Sequence, residues 1–215
     1  MSFCCNKLAT LLLAVTTTFS SVALADAYSN DELLNSCNQG NMDDCYILGT
    51  LYVDGDGIKK DLYAGSRLIE KACENGQVNA CKTLGELYLT GKGLEVNYSK
   101  ANYYVGKACD ADDFEACAVL GTMHARAMGV RRNLDRAKEL FTKSCDGQNG
   151  YGCLLLGKMY NTGFGVKLDP TKALNLFEKS CSLGLEDGCK EKQAMQEKIG
   201  EAKAKVAKAK AKLEQ

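Results

Sequence analysis

Apolar residues recur along this chain in two helical stripes that alternate at a fixed spacing. Ala101, Tyr104, Val105, Ala108 and Cys109 fall at i, i+3, i+4, i+7 and i+8, one face of an α-helix. Ala137, Leu140, Phe141, Ser144 and Cys145 repeat that face. A second stripe, Cys81, Leu84, Gly85 and Tyr88, has the same helical spacing and follows the first. The pattern predicts pairs of short helices.

The pairs repeat every 36 residues. Cys37 and Cys45, Cys73 and Cys81, Cys109 and Cys117, Cys145 and Cys153, and Cys181 and Cys189 each stand eight apart, and successive pairs are 36 apart without slippage. Gly49, Gly85, Gly121 and Gly157 keep the register, as do Tyr52, Tyr88, His124 and Tyr160. Periods of this length indicate a solenoid or array, in which each unit buries its apolar face against its neighbours.

Local signals mark the ends of the helices. Asp61, Asn97, Asn133 and Asp169 recur ahead of the first helix of a pair. Their side chains suit N-caps because they accept from free first-turn N–H groups. Pro170 follows Asp169 at the first helical position, where a missing N–H costs nothing. Gly57, Gly93, Gly129 and Gly165 mark one recurring loop. A glycine inside a helix costs about 1 kcal/mol against alanine. Its recurrence at 49, 85, 121 and 157 predicts helices that approach too closely there for a Cβ.

Composition narrows the class. One proline, no tryptophan and 7% aromatic residues disfavour a many-stranded sandwich or barrel. Lys plus Arg equal Asp plus Glu, 27 against 27, so the surplus cation that phosphate binding requires is missing and nucleic acid is not expected as a partner. The N-terminus has the layout of an export signal: Lys7, an apolar run from Leu8 to Val15, and a small-x-small site at Ala23-Leu24-Ala25. Cleavage after Ala25 is expected, which leaves a periplasmic or secreted chain with no transmembrane segment. Thr16, Thr17, Thr18, Ser20 and Ser21 interrupt the apolar stretch and leave it short of a membrane span. Ten cysteines then remain, an even count that reads as a disulfide framework in an oxidising compartment.

The run Ala80-Cys81-Lys82-Thr83-Leu84-Gly85-Glu86-Leu87-Tyr88-Leu89-Thr90-Gly91-Lys92-Gly93 resembles Sel-one-like repeats, relatives of the tetratricopeptide repeat. The added cysteine pair in each unit resembles the cysteine-rich secreted branch known as the Hcp family. The likeness covers roughly residues 30 to 189. It implies an interaction solenoid in which each cysteine pair bonds internally and ties the two helices of one unit. For some members it also implies penicillin binding or weak β-lactamase activity.

Residue chemistry gives that last implication no support. His124 is the only histidine and replaces a recurring tyrosine, so a multi-histidine zinc site cannot be built. No serine after the signal has lysine three residues on, and neither Ser-Asp-Asn nor Lys-Thr-Gly occurs. There is no Cys-x-x-Cys for redox work, and cysteines eight apart do not suit zinc. Gly91-Lys92-Gly93 lacks the phosphate-loop pattern, and Asp54-Gly55-Asp56-Gly57 lacks the closing glutamate of a calcium loop. No catalytic residue, metal ligand or cofactor is expected.

Near the C-terminus the repeat stops. Gln193 and Gln196 stand where Gly and Tyr would recur, and a long helix from Asp187 onward is predicted. Met195, Ile199, Ala202, Val206, Ala209 and Leu213 form a seam spaced 4, 3, 4, 3, 4, with lysines on the other faces. A cap over the last unit, a short self-association coil and a basic helix on anionic lipid are the readings it allows.

The expected architecture is therefore all-α: a right-handed α/α solenoid of about five 36-residue stapled helix pairs. Residues 1–25 form the signal, 26–190 the solenoid and 191–215 a lysine- and alanine-rich capping helix. Positions off the apolar stripe of the first helices vary between units, and Tyr63, Arg67, Asn102, Tyr103, Lys138, Glu139 and Asn175 are the expected contacts for a protein or peptide partner. A binder of, or enzyme on, β-lactam or peptidoglycan fragments and a purely structural envelope protein are the competing readings.

Overall fold

The computed structural model describes residues 29–213. The predicted export signal, with Cys4 and Cys5, lies outside the described residues. Among the described residues ten helices follow one another: α1 (Asn30–Asn38), α2 (Met42–Asp54), α3 (Leu62–Glu74), α4 (Val78–Thr90), α5 (Tyr98–Asp110), α6 (Phe114–Arg126), α7 (Leu134–Asp146), α8 (Gly150–Thr162), α9 (Pro170–Ser182) and α10 (Glu186–Leu213). No strand occurs among the described residues. The fold is the expected all-α solenoid of disulfide-stapled helix pairs.

Helix starts follow the cap signals. The side chains of Asp61, Asn97, Asn133 and Asp169 accept from the N–H groups of Ala64, Lys100, Arg136 and Lys172, and Pro170 occupies the first turn of α9. Ser29 and Glu32 form a reciprocal capping box at α1. The even helices α2, α4 and α8 end on left-handed Gly55, Gly91 and Gly163. At α6 that place is held by Ala127, with φ 59°.

Five disulfides join each odd helix to the next even one: Cys37–Cys45, Cys73–Cys81, Cys109–Cys117, Cys145–Cys153 and Cys181–Cys189, with Cα separations of 4.5 to 4.7 Å. In a chain-entropy account each short loop contributes about 2.5 kcal/mol by restricting the unfolded chain. The first four bridges are buried, whereas Cys181 and Cys189 are only half-buried.

The most extensive helix contacts run across the glycine loops, from α2 to α3, α4 to α5, α6 to α7 and α8 to α9. The in-helix glycines sit there. A Cβ on Gly49, Gly85, Gly121 or Gly157 would stand 2.5–2.7 Å from a side-chain carbon of Ile69, Val105, Phe141 or Phe177, inside any normal contact. The predicted stripes are buried on these faces, among them Ala101, Tyr104, Val105, Ala108 and Cys109. One core cluster runs from Cys37 to Leu140 and smaller ones continue it around Phe141 and Phe177.

A lysine ladder adds to the stacking. Lys71, Lys107, Lys143 and Lys179 each reach back to the end of the preceding odd helix. Lys71 donates to Cys37 O at 3.0 Å and Lys143 to Cys109 O at 2.8 Å. Lys107 pairs with Glu74 at 2.8 Å, and Lys179 lies 4.0 Å from Asp146. A cation beside a helix C-terminus meets its negative dipole end, at about 0.3–1 kcal/mol for exposed sites.

The C-terminal helix does more than cap. Met195 seats against Leu154, Ala173 and Phe177, so the stretch up to Met195 covers the last pair. From Gln196 to Lys212 every residue is exposed. The body helices have 13 residues and α10 has 28. At 1.5 Å per residue α10 is about 42 Å long and overruns a body about 20 Å deep.

Candidate functional site

Three hollows open along the even helices within the body, besides a shallow one on the free part of α10. Between α2 and α4 a small one of about 200 Å³ is bordered by Thr50, Val53, Asp54, Glu86, Leu87 and Lys92. Burial pushes the Glu86 carboxyl above the usual carboxylate range, against the pull of Lys82. The largest, about 630 Å³, lies among α6, α8 and α10. Its lining includes Ala125, Phe141, Leu155, Met159 and Phe164, with Thr122, Arg126, Lys158 and Glu191 as polar members. Lys158 and Glu191 pair at 3.2 Å. Phe164 stays 42% exposed, and the guanidinium of Arg132 lies 4.7 Å from its ring centre. A third hollow, about 250 Å³, opens where α10 leaves the body, between Asn161, Pro170, Met195, Lys198 and Ile199. Asn161 and Glu191 border both of these, so the two form a trough continuous from α6 onto α10.

Even helices end on a left-handed residue, and the loop beyond packs on the start of the preceding odd helix. Gly93, Gly129 and Gly165 then lie so close to Leu62, Tyr98 and Leu134 that a Cβ would clash.

The seven residues expected from sequence lie elsewhere. Tyr63, Arg67, Asn102, Tyr103, Lys138, Glu139 and Asn175 are all on odd helices, and none of them borders the three hollows. They form separate local sets. Arg67 sits over the Tyr63 ring at 5.9 Å, and Glu139 pairs with Arg136 at 3.0 Å. Tyr103 packs edge-on against Tyr104 at 5.0 Å with Lys107 over its ring. Tyr104 donates to Glu70 at 2.5 Å, and burial together with that bond raises its phenol well above the ordinary value. Asn102 is half-buried, with its Nδ2 lacking a protein partner. Sequence reading missed Leu155, Lys158, Met159 and Phe164. The even helices carried a signal, since exposed residues such as Lys158 and Asn161 sit just off their stripe.

His124 occupies the tyrosine position of α6. Tyr88 and Tyr160 accept from Lys100 and Lys172 at 3.3 and 2.8 Å there, whereas the corresponding cation beside His124 is Arg136. Its Nδ1 is buried without a partner, and burial first, then the charge of Arg136, lowers its pKa. Among the described residues no side chain hydrogen-bonds to that nitrogen. Among the described residues no group of three or more His, Cys, Asp or Glu is placed to hold a metal, and no helix is long and apolar enough to cross a membrane. The geometry offers an elongated apolar trough with charged edges.

Comparison with known proteins agrees with this architecture. The Sel1 repeat model matches residues 43–77, 78–113, 114–149 and 150–185. Each matched unit holds an even helix and the following odd helix, the pair in contact across the glycine loop. In this framing Cys73–Cys81, Cys109–Cys117 and Cys145–Cys153 cross from one matched unit to the next, while Cys37 and Cys189 lie outside the matched residues. No curated protein sequence matches the chain. Among solved structures, c5321, a protective antigen of uropathogenic Escherichia coli with an SLR fold, is 28% identical with a TM-score of 0.69, over 72% of this chain and 33% of that one. A Sel1 repeat protein from Oxalobacter formigenes is 26% identical with a TM-score of 0.68, over 76% of this chain and 65% of that one. Helicobacter pylori cysteine-rich protein B is 32% identical with a TM-score of 0.49, over 63% of this chain and 97% of that one. The chain thus spans a third of the first neighbour's length and just under two thirds of the second's. The four matched repeats make up more than half of the chain, which belongs to the Sel1 repeat family.

Proposed function

We propose that this protein is an exported repeat scaffold that holds a protein or peptide partner in the trough of its even helices. The hollow among α6, α8 and α10 carries the reading: it pairs an apolar floor of Leu155 and Met159 with an exposed aromatic edge at Phe164 and charged ends at Arg126 and Lys158. An apolar cleft with a few polar groups at its rim is how extended segments are gripped. Export is supported by the N-terminal pattern ending at Ala25 and by five disulfides, which persist in oxidising compartments. The periplasm and the medium are the compartments proposed.

Leu155→Arg together with Phe164→Ala should abolish capture of envelope proteins under non-reducing conditions, with helical circular dichroism unchanged. A triple Arg67, Tyr103 and Lys138 to Ala variant serves as the comparison on the odd helices. Loss of capture in the triple variant alone would move the site to that face. The volume of the large hollow favours one second reading, since small-molecule sites span roughly 300–1,000 Å³. In that reading the trough binds a peptidoglycan fragment or β-lactam without turnover. Saturable binding of a labelled penicillin with no nitrocefin hydrolysis would support it.

A further inference from the structure

We infer that the free part of α10 is a docking surface for an acidic amphipathic helix of another protein. It goes beyond the trough described above, meeting it only at Lys198, Ile199 and Ala202 of the third hollow. Past Met195 the apolar seam continues through Ile199, Ala202, Val206 and Ala209, and every one of these side chains is exposed. Ile199 is 37% and Val206 56% accessible. In heptad terms Ile199 and Val206 take a, and Ala202 and Ala209 take d. The flanking e and g positions are then Lys198, Lys203, Lys205, Lys210 and Lys212. Lysine frames the seam on both sides over this whole stretch.

That frame selects the occupant. In a parallel self-pair e faces g, and in an antiparallel one like faces like, so a second copy would set lysine against lysine in either orientation. An anionic bilayer would meet the lysines but little else. Lipid-bound helices bury Trp, Phe or Leu and turn a strongly polar face outward. Here the buried candidates are small, and the outward face holds Gly200, Ala204, Ala207 and Ala211 with only Glu197, Glu201 and Lys208 as charged members. A partner helix with apolar a and d positions and glutamate at e and g satisfies both features. Its carboxylates meet the lysines, and the alanines let the two backbones approach closely. The alternating Ala and Lys also favour helix along this free stretch.

The test uses the full-length disulfide-bonded protein and two labelled synthetic helices of about three heptads, identical except for Glu or Lys at e and g. The Glu helix should bind at low salt at least about tenfold more tightly than the Lys helix. Reversing the five flanking lysines to Glu should invert the preference. Ile199→Ser with Val206→Ser should remove binding while all lysines remain, and Leu155→Arg in the trough should leave it intact. Equal binding of the two helices, or binding that survives loss of the seam, overturns the inference. So does sedimentation with phosphatidylserine vesicles without helix binding, or concentration-dependent dimers in the ultracentrifuge.

Discussion

Gly121 in α6 faces Phe141 in α7 so closely that a Cβ would stand 2.6 Å from Cε1 and 2.7 Å from Cδ1 of the ring, with the Ala137 carbonyl at 3.3 Å. The ring is itself packed against Ala137, Leu156 and Met159, and the Ala137 carbonyl is backbone that cannot swing aside. Gly121→Val should therefore cost about 1–3 kcal/mol through overpacking. Lys92→Ala, at the edge of a solvated loop, should stay within about 0.5 kcal/mol. Urea midpoints for the two variants decide the matter, and equal values would mean that the recurring glycine is no packing site.

Ser144 and Gly152 form a matched small pair across the α7–α8 turn, where a Cβ on Gly152 would collide with the Ser144 side chain. Ser180 and Gly188 repeat the arrangement, while the equivalent places in the two units before are Ala72 with Ala80 and Ala108 with Ala116. Gly152→Ala alone should destabilise by about 1–3 kcal/mol. Adding Ser144→Ala should recover about half of that, a coupling that a double-mutant cycle measures directly. Additive losses would show that the pairing is coincidental.

Ala127 holds a left-handed conformation, φ 59° and ψ 39°, where α2, α4 and α8 have glycine. An L-residue pays a steric cost there that glycine avoids. Ala127→Gly should raise stability by about 0.5–1 kcal/mol despite the greater freedom glycine gives the unfolded chain. A lower melting temperature for the variant would refute this.

His124 gives the fold a pH dependence of definite sign. Its folded pKa lies below the ordinary value, so the unfolded chain binds the proton more readily. The stability tied to neutral His124 is fully present above the unfolded value of about 6.5 and is lost as pH falls from there toward the folded pKa. The half-exposed ring keeps the effect modest. His124→Tyr, which restores the residue of the other units, should reduce the stability difference between about pH 7.5 and about pH 5. An unchanged difference in urea midpoints would sink the assignment.

Cys181 and Cys189 are the half-buried pair among five. Limiting phosphine reductant should open this bridge first, and alkylation followed by peptide mapping should label these two positions ahead of the other eight. The last helix pair would then loosen around Phe177 while the core from Cys37 to Leu140 holds.

The helix pairs, their caps and the glycine contact sites were legible because each constraint is local and recurs several times within one chain. Asp61, Asn97, Asn133 and Asp169 cap helices through groups three residues away, and Gly49 to Gly157 announce a close approach by breaking the helix preference at one register. Which helix comes that close was decided only in three dimensions. The approach joins Gly121 to Phe141 across a loop, and the disulfide-linked helix is the other neighbour, a choice that rests on non-local packing. The trough was hidden for the same reason. Variable polar residues look alike on a solvated odd helix and on an even helix that lines a hollow, so Tyr103 and Lys158 could not be told apart without depth. The seam of α10 continues unbroken past Met195, because periodicity records which face is apolar and cannot record where the body beneath it ends.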